Sequence, residues 1–139
     1  MITTVTPNPS LDRTLHLPRF VAGHVNRATA TMVEPSGKGV NVALALHGVG
    51  VPVRAVLPVG GSVGHEIALL LDDLGLDHVD VPIAGSTRSN ISLVEADGRT
   101  SKVNEPGPQL SEADIDALCA MALAHMRETG PVREKGGRP

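Results

Sequence analysis

The stretch "GVNVALALHGVGVPVRAVLPVGGSVGHEIALLLDDLGLDHVDVPI", residues 39–83, decides the fold. It begins with a glycine-rich turn and an apolar helical segment that stops at a glycine, and the strand-like run "VPVRAVLPVG" follows. In "VGHEIALLLDDLG", one helical face holds Ile67, Leu70, Leu71 and Leu74, and Gly75 is the predicted C-cap. "HVDVPI" predicts another strand. This alternation of strands and helices predicts an α/β fold with a parallel sheet flanked by helices.

The segments before residue 39 predict strands of a different kind. "ITTVT" is a β-branched run closed by "PNPS", which predicts a strand followed by a loop. "RTLHLP" and "NRATATMV" alternate apolar and polar residues, as the strands of an antiparallel ribbon with one wet face do. Such a ribbon is too thin to fold alone, so we expect it to cover a cleft or to form a dimer contact.

Two further elements follow the parallel unit. "NISLVEADGRTSKVN" holds two alternating runs around Asp97-Gly98, the strongest short hairpin signal in the chain. "SEADIDALCAMALAHM" predicts a helix with Ser111 as its N-cap and acidic residues in its first turn. We expect Cys119 on this helix to be a small core residue. It belongs to a continuous apolar stripe of Ile115, Leu118, Cys119, Ala122, Leu123 and Met126.

The composition excludes several classes of function. A length of 139 residues, with 41% of them hydrophobic and 19% charged, fits one globular domain. A net charge of -3 argues against a nucleic-acid partner, and a single aromatic residue, Phe20, rules out base stacking. The single cysteine and the absence of a signal-peptide pattern or an apolar run of ~18 residues predict a cytoplasmic protein with no membrane partner.

The stretch "EPSGKGVN", residues 34–41, is the first candidate site. Its Gly-Lys pair is followed by glycine rather than by Ser or Thr, and Met32 stands where a Walker A loop needs its first glycine. Val42 replaces the third glycine of a dinucleotide-binding fingerprint. The N–H groups of a helix N-terminus, the charge of Lys38 and the amide of Asn41 nevertheless suit an anion. The alternative is a glycine-rich turn with Lys38 in solvent, and this stretch alone leaves both open.

Polar residues near the other predicted strands form a second group of candidates. Asp12 follows a turn just after the first strand, where a carboxylate can bind sugar hydroxyls or can simply form the turn. Arg88 and Asn90 lie two apart on one strand, and Lys102 and Asn104 repeat that spacing on the next, so each pair shares a face. Such a face suits a phosphorylated polyol, or it is only a solvated hairpin face. The six histidines show no metal-ligand spacing, so we predict no metal site.

Five motifs occur here in the order in which one enzyme family carries them. They are "TPNPSLD", "EPSGKGVNVALAL", "GGSVG", "TRSNI" and "NEPGP", and the resemblance covers roughly residues 1–126. The chain thereby resembles the PfkB (ribokinase-like) carbohydrate kinases, and "VTPNPSLDRT" is most similar to their 1-phosphofructokinase branch. The resemblance implies the N-terminal, sugar-binding half of a ribokinase-like αβα sandwich with a mostly parallel sheet. It also implies a small β lid, with strands roughly at 12–33 and 88–104.

The activity that the resemblance implies is ATP-dependent phosphoryl transfer to a phosphorylated ketose, converting fructose 1-phosphate to fructose 1,6-bisphosphate. Tagatose-6-phosphate kinase and minor 6-phosphofructokinase are the alternative activities. The substrate-binding residues of the family fall on Asp12, Arg27, Gly37, Lys38, Gly39, Asn41, Arg88, Asn90 and Lys102. Among them Asp12 is the substrate aspartate, residues 37–41 form the glycine-rich sugar loop, and the cations contact the sugar phosphate. The lid of the family covers the sugar and often dimerises, which implies a homodimer through the lid.

The sequence departs from the family in several ways. Ser36 stands where the family usually has glycine, which requires a negative φ at that residue. The "GAGD" segment that carries the catalytic aspartate does not occur in these 139 residues, so no catalytic residue is assigned. ATP and Mg serve the full-length family and are not expected to bind well to this chain. The ending, residues 127–139, is polar and rich in Gly and Pro, and we expect a divergent, disordered tail after a truncation or frameshift.

Two functions remain open at this point. The chain is the N-terminal part of a sugar-phosphate kinase that has no turnover by itself, or it is a non-catalytic module that binds a phosphosugar or dimerises. In either case, a parallel sheet that stops in mid-domain has an unpaired edge and exposed apolar helix faces.

Overall fold

Seven strands and three helices follow one another along residues 1–128, the part of the chain that the computed structural model describes. They are β1 (Ile2–Val5), β2 (Ser10–Leu17), β3 (Ala30–Ser36), α1 (Lys38–Gly48), β4 (Val53–Val59), α2 (Gly61–Asp73), β5 (Asp77–Pro82), β6 (Arg88–Glu95), β7 (Thr100–Asn104) and α3 (Glu112–Glu128). The tail predicted from residue 127 onward lies outside the described residues, apart from the last two residues of α3. Within residues 1–128, every helix is too short or too polar to cross a membrane.

Three parallel strands form the central sheet in the order β1-β4-β5. Side chains of β4 alternate between two buried faces: Val53, Ala55 and Leu57 pack on one side of the sheet, and Val56 packs on the other. Helices α1 and α2 cover the first face, and α3 covers the second. This three-layer arrangement confirms the predicted ribokinase-like αβα architecture.

The interface of α1 and α2 with the sheet holds the larger part of the core. Ile67 and Leu71 of α2 are fully buried, and Leu70 packs against them, whereas Leu74 at the end of the predicted face is half exposed. Burial of side chains of this size stabilises the fold by roughly 1.5–3 kcal/mol each. Gly75 ends the helix as predicted, with a φ of 73° and an N–H that donates to the Asp72 carbonyl at 2.9 Å.

Helix α3 buries only part of the apolar stripe that the sequence predicted. Its start is as predicted, because Ser111 Oγ accepts from the Asp114 N–H and the Asp114 carboxylate accepts from the Ser111 N–H, both at 3.0 Å. Leu118 and Ala122 are buried against the second face of the sheet. Cys119 is exposed, so the prediction that it is a core residue is wrong. It lies about 100° around the helix from Leu118 and so points away from the buried line.

The two predicted ribbons join into one four-stranded sheet, in the order β3-β2-β6-β7, which we call the lid. Strand β2 pairs antiparallel with β3 and parallel with β6. The predicted hairpin of β6 and β7 turns at Asp97-Gly98, where Gly98 has a φ of 91°. The parallel pairing gives the lid the additional strands that an isolated two-stranded ribbon lacks.

Two contacts fix the lid to the body. Leu11 of β2 is fully buried in the core beside α1 and α2. At the start of β6, the Gly60 N–H donates to Thr87 Oγ1, and the Thr87 N–H donates to the Gly60 carbonyl, both at 3.0 Å. Because side chains alternate along a strand, the burial of Leu11 turns Asp12 to the opposite face of the lid.

His78 of β5 bridges two carboxylates at the outer edge of the central sheet. Its Nδ1 lies 2.7 Å from Asp80 Oδ1, and its Nε2 lies 2.5 Å from Asp72 Oδ1 at the end of α2. The hydrogen bond with Asp80 is the main cause that raises the pKa of His78 from 6.5 to about 9; burial opposes it, and Asp72 adds to it. The charged imidazole therefore ties the end of α2 to β5.

Replacing His78 with Gln is expected to remove a pH-dependent part of the stability. Because the pKa of His78 is raised in the folded state, the protonated imidazole stabilises the fold. This stabilisation is fully present below pH 6.5 and is lost as the pH rises through about 9. Urea unfolding of both proteins across this range measures the difference in their free energies of unfolding, which should shrink with rising pH. A constant difference would contradict the bridge. Asp72→Asn keeps the imidazole but removes one carboxylate that raises the pKa of His78. In this variant, the pH-dependent loss of stability should therefore occur at lower pH.

Candidate functional site

One face of the lid brings most of the predicted site residues together. In the parallel register of β2 with β6, Asp12 lies beside Asn90, and Ser10 lies beside Arg88. Residues two apart on a strand share a face, so these four side chains lie on one face. The antiparallel register of β7 with β6 adds Lys102 to it. We call this set of Ser10, Asp12, Arg88, Asn90 and Lys102 the polar lid face.

Asp12 is half-buried in strand β2, between a hydroxyl and a second acid. Ser10 Oγ donates to Asp12 Oδ1 at 2.8 Å, and Glu34 of β3 lies beside Asp12 in the antiparallel register. Sequence reasoning missed Ser10 and Glu34 because it started this strand at residue 13. A strand that begins at Ser10 shows, through its two-residue alternation, that Ser10 and Asp12 share a face.

Arg88 and Asn90 carry buried polar atoms without a protein partner. Two nitrogens of the Arg88 guanidinium donate to backbone carbonyls, Nη2 to Asn8 at 3.1 Å and Nη1 to Glu105 at 3.4 Å. Within residues 1–128, its Nε and the Asn90 Oδ1 are buried and have no hydrogen-bond partner. Leaving a buried polar atom unpaired costs about 1–3 kcal/mol, so such atoms normally have partners. These two atoms therefore mark a place where a ligand or water completes the hydrogen bonding.

The glycine-rich loop starts α1 in close contact with β1. Gly37 precedes the helix with a φ of 130°, a conformation that favours glycine. Gly39 lies so close to β1 that a Cβ atom there would be 2.9 Å from the Val5 carbonyl oxygen. The first N–H groups of a helix have no acceptor within it and attract anions, and the exposed Lys38 adds a positive charge at this end. The start of α1 and the exposed Lys38 thus lie at one place, and the predicted anion site there stays a prediction.

Ser36 and Asn41 connect the loop to the lid. Ser36 Oγ donates to Asn41 Oδ1 at 3.3 Å, and Ser36 lies beside Ser10 in the register of β3 with β2. Among residues 1–128, only glycines have a positive φ, so Ser36 has the negative φ that its place in the loop requires. The departure from glycine at this position is therefore compatible with the loop.

A groove of about 830 Å³ lies next to these residues. Asp12, Ser36 and Asn41 line its polar part, and Leu44 of α1 and Leu70 of α2 line its apolar part. Pockets for small molecules typically measure about 300–1,000 Å³ and combine apolar walls with a few polar groups. The groove has the size and the lining of a small-molecule site.

Arg27 lies apart from the other candidates. It is exposed in the loop between β2 and β3, next to the end of the lid where His16 pairs with Ala30. Asp12 and Ser36 lie toward the opposite end of the same two strands. The lid register therefore does not bring Arg27 to the loop at residues 37–41, and its predicted phosphate contact stays a prediction.

The described residues contain neither a metal cluster nor a Walker A loop. Within residues 1–128, no group of three or more His, Cys, Asp or Glu side chains is arranged to hold a metal. The loop at residues 37–41 lacks the Walker A spacing. That ATP and Mg do not bind well to this chain stays a prediction.

Comparisons with known proteins agree with one another. A family model described as "pfkB family carbohydrate kinase" matches residues 6–125. The 1-phosphofructokinase of Vibrio cholerae is 37% identical over 117 residues, which cover 84% of this chain and 37% of that protein. The 1-phosphofructokinase of Xanthomonas campestris is 37% identical over 138 residues, which cover 98% of this chain and 43% of that protein.

Solved structures contain the same arrangement. Phosphofructokinase-2 from Escherichia coli in complex with fructose-6-phosphate matches with a TM-score of 0.83 and 34% identity, over 88% of this chain and 41% of that chain. The chain therefore spans only 37–43% of the length of these three relatives.

Replacing Gly39 with Ala is expected to destabilise the chain by about 1–3 kcal/mol, the usual cost of overpacking. The added methyl group would meet the Val5 carbonyl oxygen, which the β1 backbone holds in place. Gly48→Ala at the other end of α1 is the matched control, because a Cβ atom there meets nothing within 4 Å. Urea unfolding measures both changes. Equal stability of the two variants would contradict the close contact of the loop with β1.

Proposed function

The chain belongs to the pfkB family of carbohydrate kinases, and we propose that residues 1–126 are the sugar-binding part of a kinase for a ketose phosphate. The proposed substrate is fructose 1-phosphate and the proposed product is fructose 1,6-bisphosphate, because relatives named 1-phosphofructokinase match most of the chain. The observation that carries the proposal is the polar lid face, on which a carboxylate, an amide and two cations share one side of a sheet.

Each residue of the proposed site is assigned to one part of the ligand, either the sugar hydroxyls or the phosphate group. Asp12 accepts hydrogen bonds from sugar hydroxyls, as an ionised carboxylate can act only as an acceptor. Asn90 has both a donor and an acceptor, and its buried Oδ1 lacks a protein partner within residues 1–128. Lys102, Lys38 and the Nε of Arg88 suit the phosphate group, since charge-assisted hydrogen bonds are the strongest that these groups make.

The proposed role of this part of the chain is to bind and orient the acceptor sugar. Orientation of bound reactants is itself a large part of catalysis. The aspartate base of the family is proposed to lie in a "GAGD" segment, which these 139 residues do not contain. The residues that bind ATP and Mg are proposed to lie in the same part of the full-length family. The described residues are therefore assigned no proton transfer and no contact with the transferred phosphoryl group.

The lid is proposed to cover the bound sugar and to pair with the lid of a second copy. On the face of the lid that carries Asp12, the outer strand β3 has the exposed apolar side chain of Met32, which supports an apolar contact. A cytoplasmic location is also part of the proposal, because a single cysteine fits a reducing compartment.

Two alternatives each have an observation in their favour. The Escherichia coli relative was solved with fructose-6-phosphate, which favours a 6-phosphorylated ketose, the substrate class of a minor 6-phosphofructokinase or a tagatose-6-phosphate kinase. The polar lid face by itself would also suit a non-catalytic module that binds a phosphosugar. Binding measurements with fructose 1-phosphate, fructose 6-phosphate and tagatose 6-phosphate separate the ligands.

We expect the 139-residue chain by itself to show no kinase turnover. The reason is that the groups assigned to ATP and to proton removal are absent from its sequence. Purified chain is incubated with fructose 1-phosphate, ATP and Mg, and ADP is measured. Full-length Vibrio cholerae 1-phosphofructokinase serves as the positive control. ADP production above the enzyme-free blank would contradict the assignment.

We expect the same chain to bind fructose 1-phosphate, and Asp12→Asn or Lys102→Ala to weaken binding about tenfold each, through one lost charge-assisted hydrogen bond. Titration calorimetry measures the dissociation constants. Matched controls are Asp116→Asn on α3 and Arg99→Ala at the hairpin, where the arginine side chain is 78% exposed. Weakening by the control substitutions to the same extent would mean that only net charge matters.

A further inference from the structure

The guanidinium of Arg88 lies between two loops that come from distant parts of the chain. One loop, residues 6–9, joins β1 to β2, and the other, residues 105–108, follows β7. Nη2 of Arg88 donates to the Asn8 carbonyl at 3.1 Å, and Nη1 donates to the Glu105 carbonyl at 3.4 Å. The position of the guanidinium therefore depends on how these two loops are held relative to each other.

The side chain of Asn8 connects the two loops directly. Its Nδ2 donates to the Pro106 carbonyl at 3.1 Å. Gly107, which has a φ of 89°, packs so closely against the same side chain that a Cβ atom on it would overlap the Asn8 amide group. Asn8 thus fills the space between the loops and forms a hydrogen bond across it.

The loop after β7 is also fixed from its other side. The Ser89 N–H donates to a carboxylate oxygen of Glu105 at 2.6 Å. Gly85 lies so close to Pro108 that a Cβ atom on it would be 2.7 Å from the proline Cβ. The loop is therefore anchored to the start of β6, and the Asn8 amide ties it to the loop before β2.

Both groups that accept from Arg88 are neutral carbonyls, so they orient its guanidinium without cancelling its charge. The ion pairs within residues 1–128 are formed by other cationic side chains, namely those of Arg13, Arg54, His78 and Arg99. The Nε of Arg88 is buried and has no hydrogen-bond partner among these residues. A guanidinium that has a fixed orientation, an uncancelled charge and a free donor is suited to bind an oxyanion such as a phosphate group.

We propose that Asn8 is a positioning residue for the phosphate group of the ligand. Its amide holds the two loops at the separation at which both carbonyls accept from Arg88, and this fixes the guanidinium in the orientation that binds phosphate. Asn8 acts through Arg88 and does not itself contact the ligand. The identity of the ligand rests on the proposed function, whereas the orientation of Arg88 is measured without any ligand.

The first measurement follows the guanidinium of Arg88 in the free 139-residue chain. Asn8→Ala removes the hydrogen bond to Pro106, and we expect ¹⁵N NMR of the arginine side chains to show that the Arg88 guanidinium rotates at least about tenfold faster than in the unsubstituted chain. Asn26→Ala is the matched control, because Asn26 Nδ2 donates to the Val21 carbonyl at 2.8 Å in the loop between β2 and β3. This control should leave the Arg88 signals unchanged. An unchanged rotation rate in Asn8→Ala would overturn the proposal.

The second measurement is the affinity for fructose 1-phosphate, by titration calorimetry. We expect Asn8→Ala to raise the dissociation constant about tenfold, the size expected when a hydrogen bond to a charged group is no longer well placed. An unchanged dissociation constant together with a faster guanidinium would overturn the role of Asn8 in binding. If the unsubstituted chain does not bind fructose 1-phosphate, the proposed function fails, and the NMR measurement still decides whether Asn8 positions Arg88.

A second variant changes the same contact from the other loop, so that the test does not depend on the stability of Asn8→Ala. Gly107→Ala places a methyl group against the Asn8 amide and should raise the dissociation constant to a similar extent. Gly98→Ala is its matched control, because a φ of 91° strains an alanine there in the same way, yet its Cβ atom would meet nothing within 4 Å. Equal dissociation constants for these two variants would overturn the proposal.

The double variant tests whether the two substitutions act through one contact. When Gly107→Ala is combined with Asn8→Ala, the methyl group no longer meets the amide. The loss of affinity should then match that of Asn8→Ala alone, because substitutions that remove one shared contact are not additive. A loss equal to the product of the two single losses would show that they act separately, and would overturn the proposal. Urea unfolding of each variant verifies that it is folded during the titration.

Discussion

The parallel pairing of β2 with β6 is the interaction on which the candidate site depends. It brings together Ser10 and Arg88, which are 78 positions apart along the chain (10 to 88), and it aligns Asp12 with Asn90. Both strands are fixed where they leave the body, β2 by the buried side chain of Leu11 and β6 by the hydrogen bonds between residues 60 and 87. The polar face therefore forms on a rigid sheet rather than on mobile loops, which is the arrangement that orients a bound ligand.

The second constraint is the close approach of α1 to β1. Only glycine fits at position 39, where a side chain would meet the Val5 carbonyl, and the φ of Gly37 directs the chain from β3 into the helix. The same contact places Asn41 within hydrogen-bond distance of Ser36 at the end of the lid. The glycine-rich loop and the lid are thus parts of one structure, and within residues 1–128 the buried Nε of Arg88 and Oδ1 of Asn90 have no hydrogen-bond partner.

The two edges of the central sheet differ in composition. One edge ends in charges, a histidine bridge and a proline, and the other ends in four uncharged β-branched residues. Helix α3 follows the same division, because Leu118 is buried over the sheet whereas Leu123 is exposed. These residues belong to a chain that spans 37–43% of the length of the three relatives named above.

Within residues 1–128, local periodicity and glycine positions predicted the helices and strands, a parallel sheet flanked by helices, the glycine-rich loop and the face shared by Arg88 and Asn90, whereas the αβα class was implied by the family resemblance. The sequence by itself did not reveal Ser10 and Glu34 as neighbours of Asp12, the exposure of Cys119, or the distance of Arg27 from the loop. Tertiary structure alone decided these, because strand register and the width of a three-stranded sheet are set by contacts between residues far apart in the chain.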